Sequence, residues 1–232
     1  MRCYHHLTQC RFLYRVNRFI ARCDLNGAET TVHVKNTGRL GELLLPGATV
    51  WLEESGNPAR KTRYDLVAVE NRGYVVNIDS QAPNRIVREW LEEGGLDGQM
   101  TMIRPEYTLG DSRYDFAFSR SADGTLTGLI EVKGVTLFDD QGCAFFPDAP
   151  TSRGVRHLCG LIQAARAGME AAVVFVLQRD DVVCLRPNEQ ADPAFAQALR
   201  DAHAAGVKLI ACVCRVTPDS CRITHTVPIM LS

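Results

Sequence analysis

Two kinds of hydrophobic spacing divide the chain near residue 80. Before that point apolar residues fall in short runs of period two, separated by turn signals at Asn26-Gly27, Pro46-Gly47, Gly56-Asn57-Pro58 and Asn71-Arg72-Gly73. The runs predict five short strands, over 12–23, 30–34, 49–53, 64–70 and 74–78. Five short strands in about 70 residues fit a small closed barrel, of the OB or the SH3-like kind. Beyond residue 80 helical stripes alternate with apolar runs. Ile86, Val87, Trp90 and Leu91 form a stripe over 84–93, with Pro83 in its first turn and Gly94-Gly95 after it. Strands follow over 100–109, around Tyr114 and around Ile130, and a long loop over 138–150. A helix capped by Thr151 or Ser152 then runs to about Ala167. The unbroken run 171–177 reads as a buried strand. Asp192 caps a helix with Pro193 at its first position, and strands over 207–216 and 222–227 close the sheet. The pattern predicts a mixed α+β chain of two domains, 1–80 and 81–232.

The densest chemistry lies in Arg113-Tyr114-Asp115-Phe116 and Ile130-Glu131-Val132-Lys133. Alternation along a strand puts Glu131 and Lys133 on one face and Ile130 and Val132 on the other. The Asp123-Gly124 turn between the runs predicts a hairpin in which Asp115 stands opposite Glu131. Like charges facing each other across a ladder are destabilising, so a cation between them is expected. A divalent metal such as Mg²⁺ or Mn²⁺, held by Asp115, Glu131 and the Val132 carbonyl, would polarise a phosphate, with Lys133 beside the developing charge. The bland alternative is that Lys133 alone neutralises the two acids.

Charge and composition change the picture modestly. With a net charge of −1 and 46% hydrophobic residues, the 232-residue chain is ordinary for a globular protein. Residues 1–80 carry a balance of +3 and the remainder −4, and the first 23 residues hold Arg2, Arg11, Arg15, Arg18 and Arg22 without an acid. Such a strip is either a phosphate-binding footprint or a solvated strand face. Phe12, Tyr14, Phe19 and Trp51 are open as base-stacking platforms or as core. Asn36-Thr37-Gly38-Arg39 reads as a loop offering amides, Asn36, Thr37 and Arg39 to a phosphate, or simply as a turn. Arg153, Arg156 and His157 share a face in the first turns of a helix, where an anion is already favoured. They would grip a nucleic-acid backbone or pair with Asp115, Glu131 or Asp148. Asp139, Asp140 and Asp148 read as solvated loop acids. Nine cysteines with no Cys-x-x-Cys predict free thiols in a reducing cytoplasm, and no run is long enough to span a membrane. No Gly-rich phosphate loop or Ser/His/Asp arrangement supports a small-molecule sugar enzyme.

The Asp-x15-Glu-x-Lys spacing resembles the PD-(D/E)xK nuclease core, with Tyr114 where that motif has proline. Over nearly the whole chain, Asn36-Thr37-Gly38, Ser112-Arg113-Tyr114-Asp115-Phe116, Ile130-Glu131-Val132-Lys133-Gly134-Val135-Thr136-Leu137, Phe146-Pro147-Asp148-Ala149 and Thr151-Ser152-Arg153-Gly154-Val155-Arg156-His157-Leu158 resemble the sugar fermentation stimulation protein A family. The resemblance implies an N-terminal five-stranded OB-like barrel, a nuclease-like domain of αβββαβ order and DNA binding, with Arg113 among the contacts. It also implies a fourth carboxylate for the metal, with Glu89 on the first helix and Glu106 just before the Asp115 strand as rivals. Two functions stay open: a metal-dependent nuclease acting on DNA, or a non-catalytic DNA-binding regulator linked to sugar (maltose) metabolism. Nucleases of this core are often dimers, so a homodimer is open as well.

Overall fold

The computed structural model describes residues 3–57 and 59–231. Arg2 of the basic strip and Pro58 of one predicted turn lie outside them. The first domain is built from β1 (Leu7–Arg15), β2 (Ile20–Leu25), β3 (Ala28–Val34), β4 (Thr49–Glu54), β5 (Tyr64–Asn71) and β6 (Tyr74–Asn77). Hydrogen bonding runs β3-β2-β1-β4-β5-β6, and a parallel β3–β5 pairing closes the first five strands into a barrel. That is an OB-like barrel. The closing set differs from the predicted one. The single run expected over 12–23 is a hairpin of two strands, and β6 extends β5 outside the closure. Alternating side chains fill the interior, among them Phe12, Val32, Val50, Leu52 and Leu66.

The second domain opens with α1 (Ala82–Glu92), followed by β7 (Met102–Leu109), β8 (Ser112–Ser119) and β9 (Gly128–Val135). Then come the short β10 (Leu137–Phe138) and β11 (Cys143–Phe146), α2 (Ser152–Arg166), β12 (Glu170–Leu177), β13 (Cys184–Pro187), α3 (Pro193–Ala204), β14 (Lys208–Val216) and β15 (Cys221–Val227). Six strands form one sheet in the order β15-β14-β12-β9-β8-β7. Helix α1 covers one face through Ile86, Val87 and Leu91. Helices α2 and α3 cover the other through Leu158, Leu161, Phe195 and Leu199. Both predicted caps form: Thr151 Oγ1 accepts from Gly154 N, and Asp192 Oδ1 from Phe195 N. Cys212 and Cys214 lie in one layer, as their alternation requires.

The stretch 138–150 is not a plain loop. β10, β11 and β13 make a separate three-stranded sheet. Its parallel register sets Cys143 opposite Cys184, with Cα atoms 4.8 Å apart, and the two are disulfide-bonded. The expectation of nine free thiols is therefore corrected to seven. Spacing gave no hint of the pair, because the two strands are brought together only by tertiary packing.

The domains meet at a polar seam. Fully buried Asp79 takes Lys35 at 3.1 Å, Arg85 at 3.2 Å and the Tyr4 hydroxyl at 3.2 Å. The Asn77 amide donates to the Gln178 carbonyl at the end of β12. Gly134 allows close approach of α1 to β9, since a Cβ there would stand 2.8 Å from Pro83 Cγ. No helix among the described residues is long and apolar enough to cross a membrane.

Candidate active site and nucleic-acid interface

The register of the β8–β9 hairpin is the one its turn predicts, running from Phe118↔Gly128 to Phe116↔Ile130. Asp115 lies one step beyond the last paired residue. There the strands part, and Asp115 Oδ2 accepts the Val132 amide at 2.7 Å while Oδ1 accepts Asn84 Nδ2 at 2.8 Å. On the other flank Glu106 interrupts the β7–β8 ladder with φ +53°, an uncommon conformation for a non-glycine residue. The sheet is thus irregular on both sides of Asp115.

Glu131 is 3% exposed and faces α2. Its Oε1 takes two donors, Lys133 Nζ at 2.6 Å and His157 Nδ1 at 2.5 Å. Arg153 Nε donates to His157 Nε2 at 3.4 Å, so the hydrogen-bond pattern gives the tautomer protonated at Nδ1. Glu131 Oε2 is buried and has no hydrogen-bond partner. The two carboxyls are driven apart. Burial raises Asp115 and the Glu131 charge adds to it, against the Val132 amide, Asn84 and Lys133. Burial also acts to raise Glu131, but the His157 hydrogen bond and Lys133 outweigh it and hold Glu131 low.

Tyr114 occupies the place of the motif's proline for a visible reason. It is buried beneath α2 with its ring centroid 5.9 Å from that of His157. Gly160 makes room: a Cβ there would lie 2.0 Å from the Tyr114 hydroxyl.

The predicted site residues fall into three groups. Asp115, Glu131, Lys133 and His157 come together, with Arg153 at the edge; Arg156 is exposed on α2. Glu106 is exposed and stands 3.8 Å from exposed Arg113, so these two face each other on the hairpin surface. Glu89 is half-buried on α1, about 140° around the helix from Asn84, the α1 residue that reaches Asp115. Asn84 was not singled out from the sequence, where a lone amide in a first turn carries no signal. His157 pairs with Glu131, and the solvated reading of Asp148 is corrected. Asp148 Oδ2 accepts the Arg39 amide at 3.2 Å and ties the 36–39 loop to the second domain. Asp139 accepts the Gln141 and Cys143 amides, and Asp140 pairs with Arg72.

The 36–39 loop is held from inside. Arg15 donates to the carbonyls of Arg18, Asn36, Gly38 and Arg39 at 2.6–2.8 Å, and Asn36 Oδ1 accepts the Gly38 amide. Thr37 and the Arg39 side chain are left exposed. Of the four aromatics, Phe12 is core and Trp51 packs near Tyr4, while Tyr14 and Phe19 are 49% and 45% exposed.

Comparison with known proteins agrees with this architecture. The family described as the SfsA N-terminal OB domain matches residues 13–78, and the sugar fermentation stimulation protein RE domain matches 81–220. A sugar fermentation stimulation protein homolog of Desulfitobacterium hafniense is 46% identical over 217 residues, covering 94% of this chain and 93% of the relative. One from Clostridium beijerinckii is 41% identical over 228 residues, covering 98% and 99%. The solved structure of Pyrococcus furiosus SfsA in complex with Ca²⁺ superposes with a TM-score of 0.84 at 29% identity, covering 99% of this chain and 98% of that one. With two domain families and near full-length relatives in agreement, the chain belongs to the sugar fermentation stimulation protein family.

Proposed function

We propose that this protein binds nucleic acid, DNA foremost, and hydrolyses phosphodiesters at a divalent metal held by Asp115 and Glu131. The observation that carries the reading is Glu131 Oε2, a buried carboxylate oxygen without a partner, beside a second carboxyl that burial and like charge push up. Buried acceptors are rarely left unpaired, and a carboxylate pair of this kind suits a hard cation. The Pyrococcus relative was solved with Ca²⁺, a hard cation with the same preference for oxygen. Mg²⁺ or Mn²⁺ is the cofactor proposed here.

The metal supplies charge neutralisation at the scissile phosphate. The chain's own groups do the rest. Asn84 and the Val132 amide hold Asp115 in one orientation. His157 and Lys133 fix Glu131 through Oε1 and leave Oε2 free to bind. Lys133, half-buried beside Glu131, stabilises negative charge as it develops on the phosphate. Arg153, Arg156, Arg39 and Thr37 contact the backbone. A non-catalytic DNA-binding regulator is the second reading. In its favour, no group of three or more His, Cys, Asp or Glu side chains among the described residues is placed to hold one metal ion.

The test incubates the protein with labelled single- and double-stranded DNA and RNA in Mg²⁺, Mn²⁺ or EDTA, beside Glu131→Gln. Metal-dependent cleavage absent from the variant is expected. Salt-sensitive binding with no cleavage under any metal would favour the regulator, and neither activity would refute both.

A further inference from the structure

The described residues contain two buried side-chain atoms with no hydrogen-bond partner. One is Glu131 Oε2. The other is Gln178 Oε1, on a residue only 1% exposed at the carboxyl end of β12. Gln178 lines a cleft of about 460 Å³ between the two domains. That volume lies in the range of pre-formed ligand sites, and the cleft sits at the carboxyl ends of the parallel β9 and β12, where open α/β sheets bind ligands. Asn36 and Thr37 contribute from the barrel; Gly134, Phe145 and Phe146 contribute from the sheet side.

We infer that this cleft takes one unstacked nucleobase, and that single-stranded nucleic acid is therefore the substrate class. The inference rests on the nucleic-acid reading above. A neutral amide oxygen is an acceptor, so its missing partner is a donor. Every nucleobase carries N–H donors on its edge. Two aromatic residues stand in the cleft's mixed polar and apolar lining. Phe146 is locked edge-on by Phe175 at 5.6 Å and Phe195 at 5.2 Å, and Phe145 stands next to it at the cleft wall. Contact with an aromatic ring and an edge hydrogen bond to Gln178 are the two kinds of interaction that hold an unstacked base. The walls come from two domains clamped together by Asp148 and the Arg39 amide, so the cleft is set before the ligand arrives.

Asn36 and Thr37 form a shared ridge. Beyond it a second groove of about 480 Å³ carries Phe19, exposed at its rim with Arg18 5.4 Å above the ring. A strand crossing the ridge would stack one base on Phe19 and seat another in the cleft. Bases paired within a duplex are out of reach of such a cleft unless flipped out.

The experiment measures fluorescence anisotropy of the full chain in EDTA, so that cleavage plays no part. The probes are a labelled 12-nucleotide DNA, the same strand with a single abasic nucleotide at each successive position, and the strand annealed to its complement. Gln178→Met, which keeps the shape and loses the acceptor, runs alongside with its melting temperature recorded. The wild type is expected to bind the single strand at least tenfold more tightly than the duplex. One abasic position should cost about tenfold. Gln178→Met should cost about the same on the intact strand and nothing further on that abasic probe. Wild-type binding that ignores every abasic position and strandedness would overturn the cleft assignment and leave the nucleic-acid reading standing. Absence of binding to any probe at low salt would overturn that reading itself. The abasic series needs no variant, so it decides the matter even if Gln178→Met folds poorly.

Discussion

Asp115→Asn and Glu131→Gln each remove one negative charge from the same polar cluster, but their effects on stability should have opposite signs. In Glu131→Gln the Lys133 ammonium and the His157 N–H lose a charged acceptor at 2.6 and 2.5 Å. Each hydrogen bond to a charged group is worth about 1.5–3 kcal/mol, and breaking a buried pair costs about 3–5 kcal/mol. Glutamine keeps a neutral acceptor, so a loss of about 3 kcal/mol is expected, or roughly 6–12 °C in Tm for a chain of this size. Asp115→Asn costs no hydrogen bond if the Asn84 amide turns over. The new amide oxygen can take the Val132 amide, and its NH₂ can donate to Asn84 Oδ1. It also removes the repulsion from Glu131. Its Tm in EDTA at neutral pH should equal or exceed that of the wild type, while cleavage is lost. The pH dependence carries the sign. Asp115 is raised above 3.8, so the folded chain keeps that proton to higher pH than the unfolded one. The penalty is absent below 3.8 and grows as pH rises through the folded value. Any advantage of Asp115→Asn should therefore vanish in acid. Glu131 is held low, so its contribution is present above its unfolded value of 4.5 and is lost as pH falls through the folded one. Calorimetry in EDTA at pH 7 and pH 3.5, with cleavage assayed in Mn²⁺, reads all of this. Equal destabilisation by both variants at pH 7 would refute the electrostatic opposition of the two carboxyls.

Three further outcomes are expected. Saturating Mn²⁺ should raise the wild-type melting point, by about 2.7 kcal/mol of stability at a hundredfold excess over Kd. It should do nothing for Asp115→Asn, and an equal rise in both would place the ion elsewhere. Arg15→Lys replaces a fork that serves five carbonyls with a single ammonium, so the 36–39 loop should loosen. Faster tryptic cleavage after Arg39, with the rest of the digest unchanged, is the readout. Thiol titration of the denatured, unreduced chain should find seven free cysteines. Reduction should cost roughly 3–4 kcal/mol, the loop-closure value for a disulfide spanning 41 residues; nine thiols without reductant would show the bond absent.

The local pattern of this sequence determined a great deal. Period-two runs marked the strands, Asp123-Gly124 set the register that pairs Phe116 with Ile130, and Thr151 and Asp192 announced their helices. These are short-range properties, in which a turn or cap residue and the chain beside it specify the backbone. The Asp115, Glu131 and Lys133 cluster was legible for the same reason, because one hairpin carries all three. Tertiary structure alone decided the rest. The barrel closes through β3 and β5, whose pairing follows from how the intervening strands pack. Cys143 meets Cys184 because β11 and β13, far apart in the chain, lie in parallel. Asn84 carries no signal in the sequence, and neither the basic strip that holds Arg15 nor the motif that holds Asp148 says which groups they bind. Each acquires its role from a partner on another element, and no local preference encodes which distant group a side chain will meet.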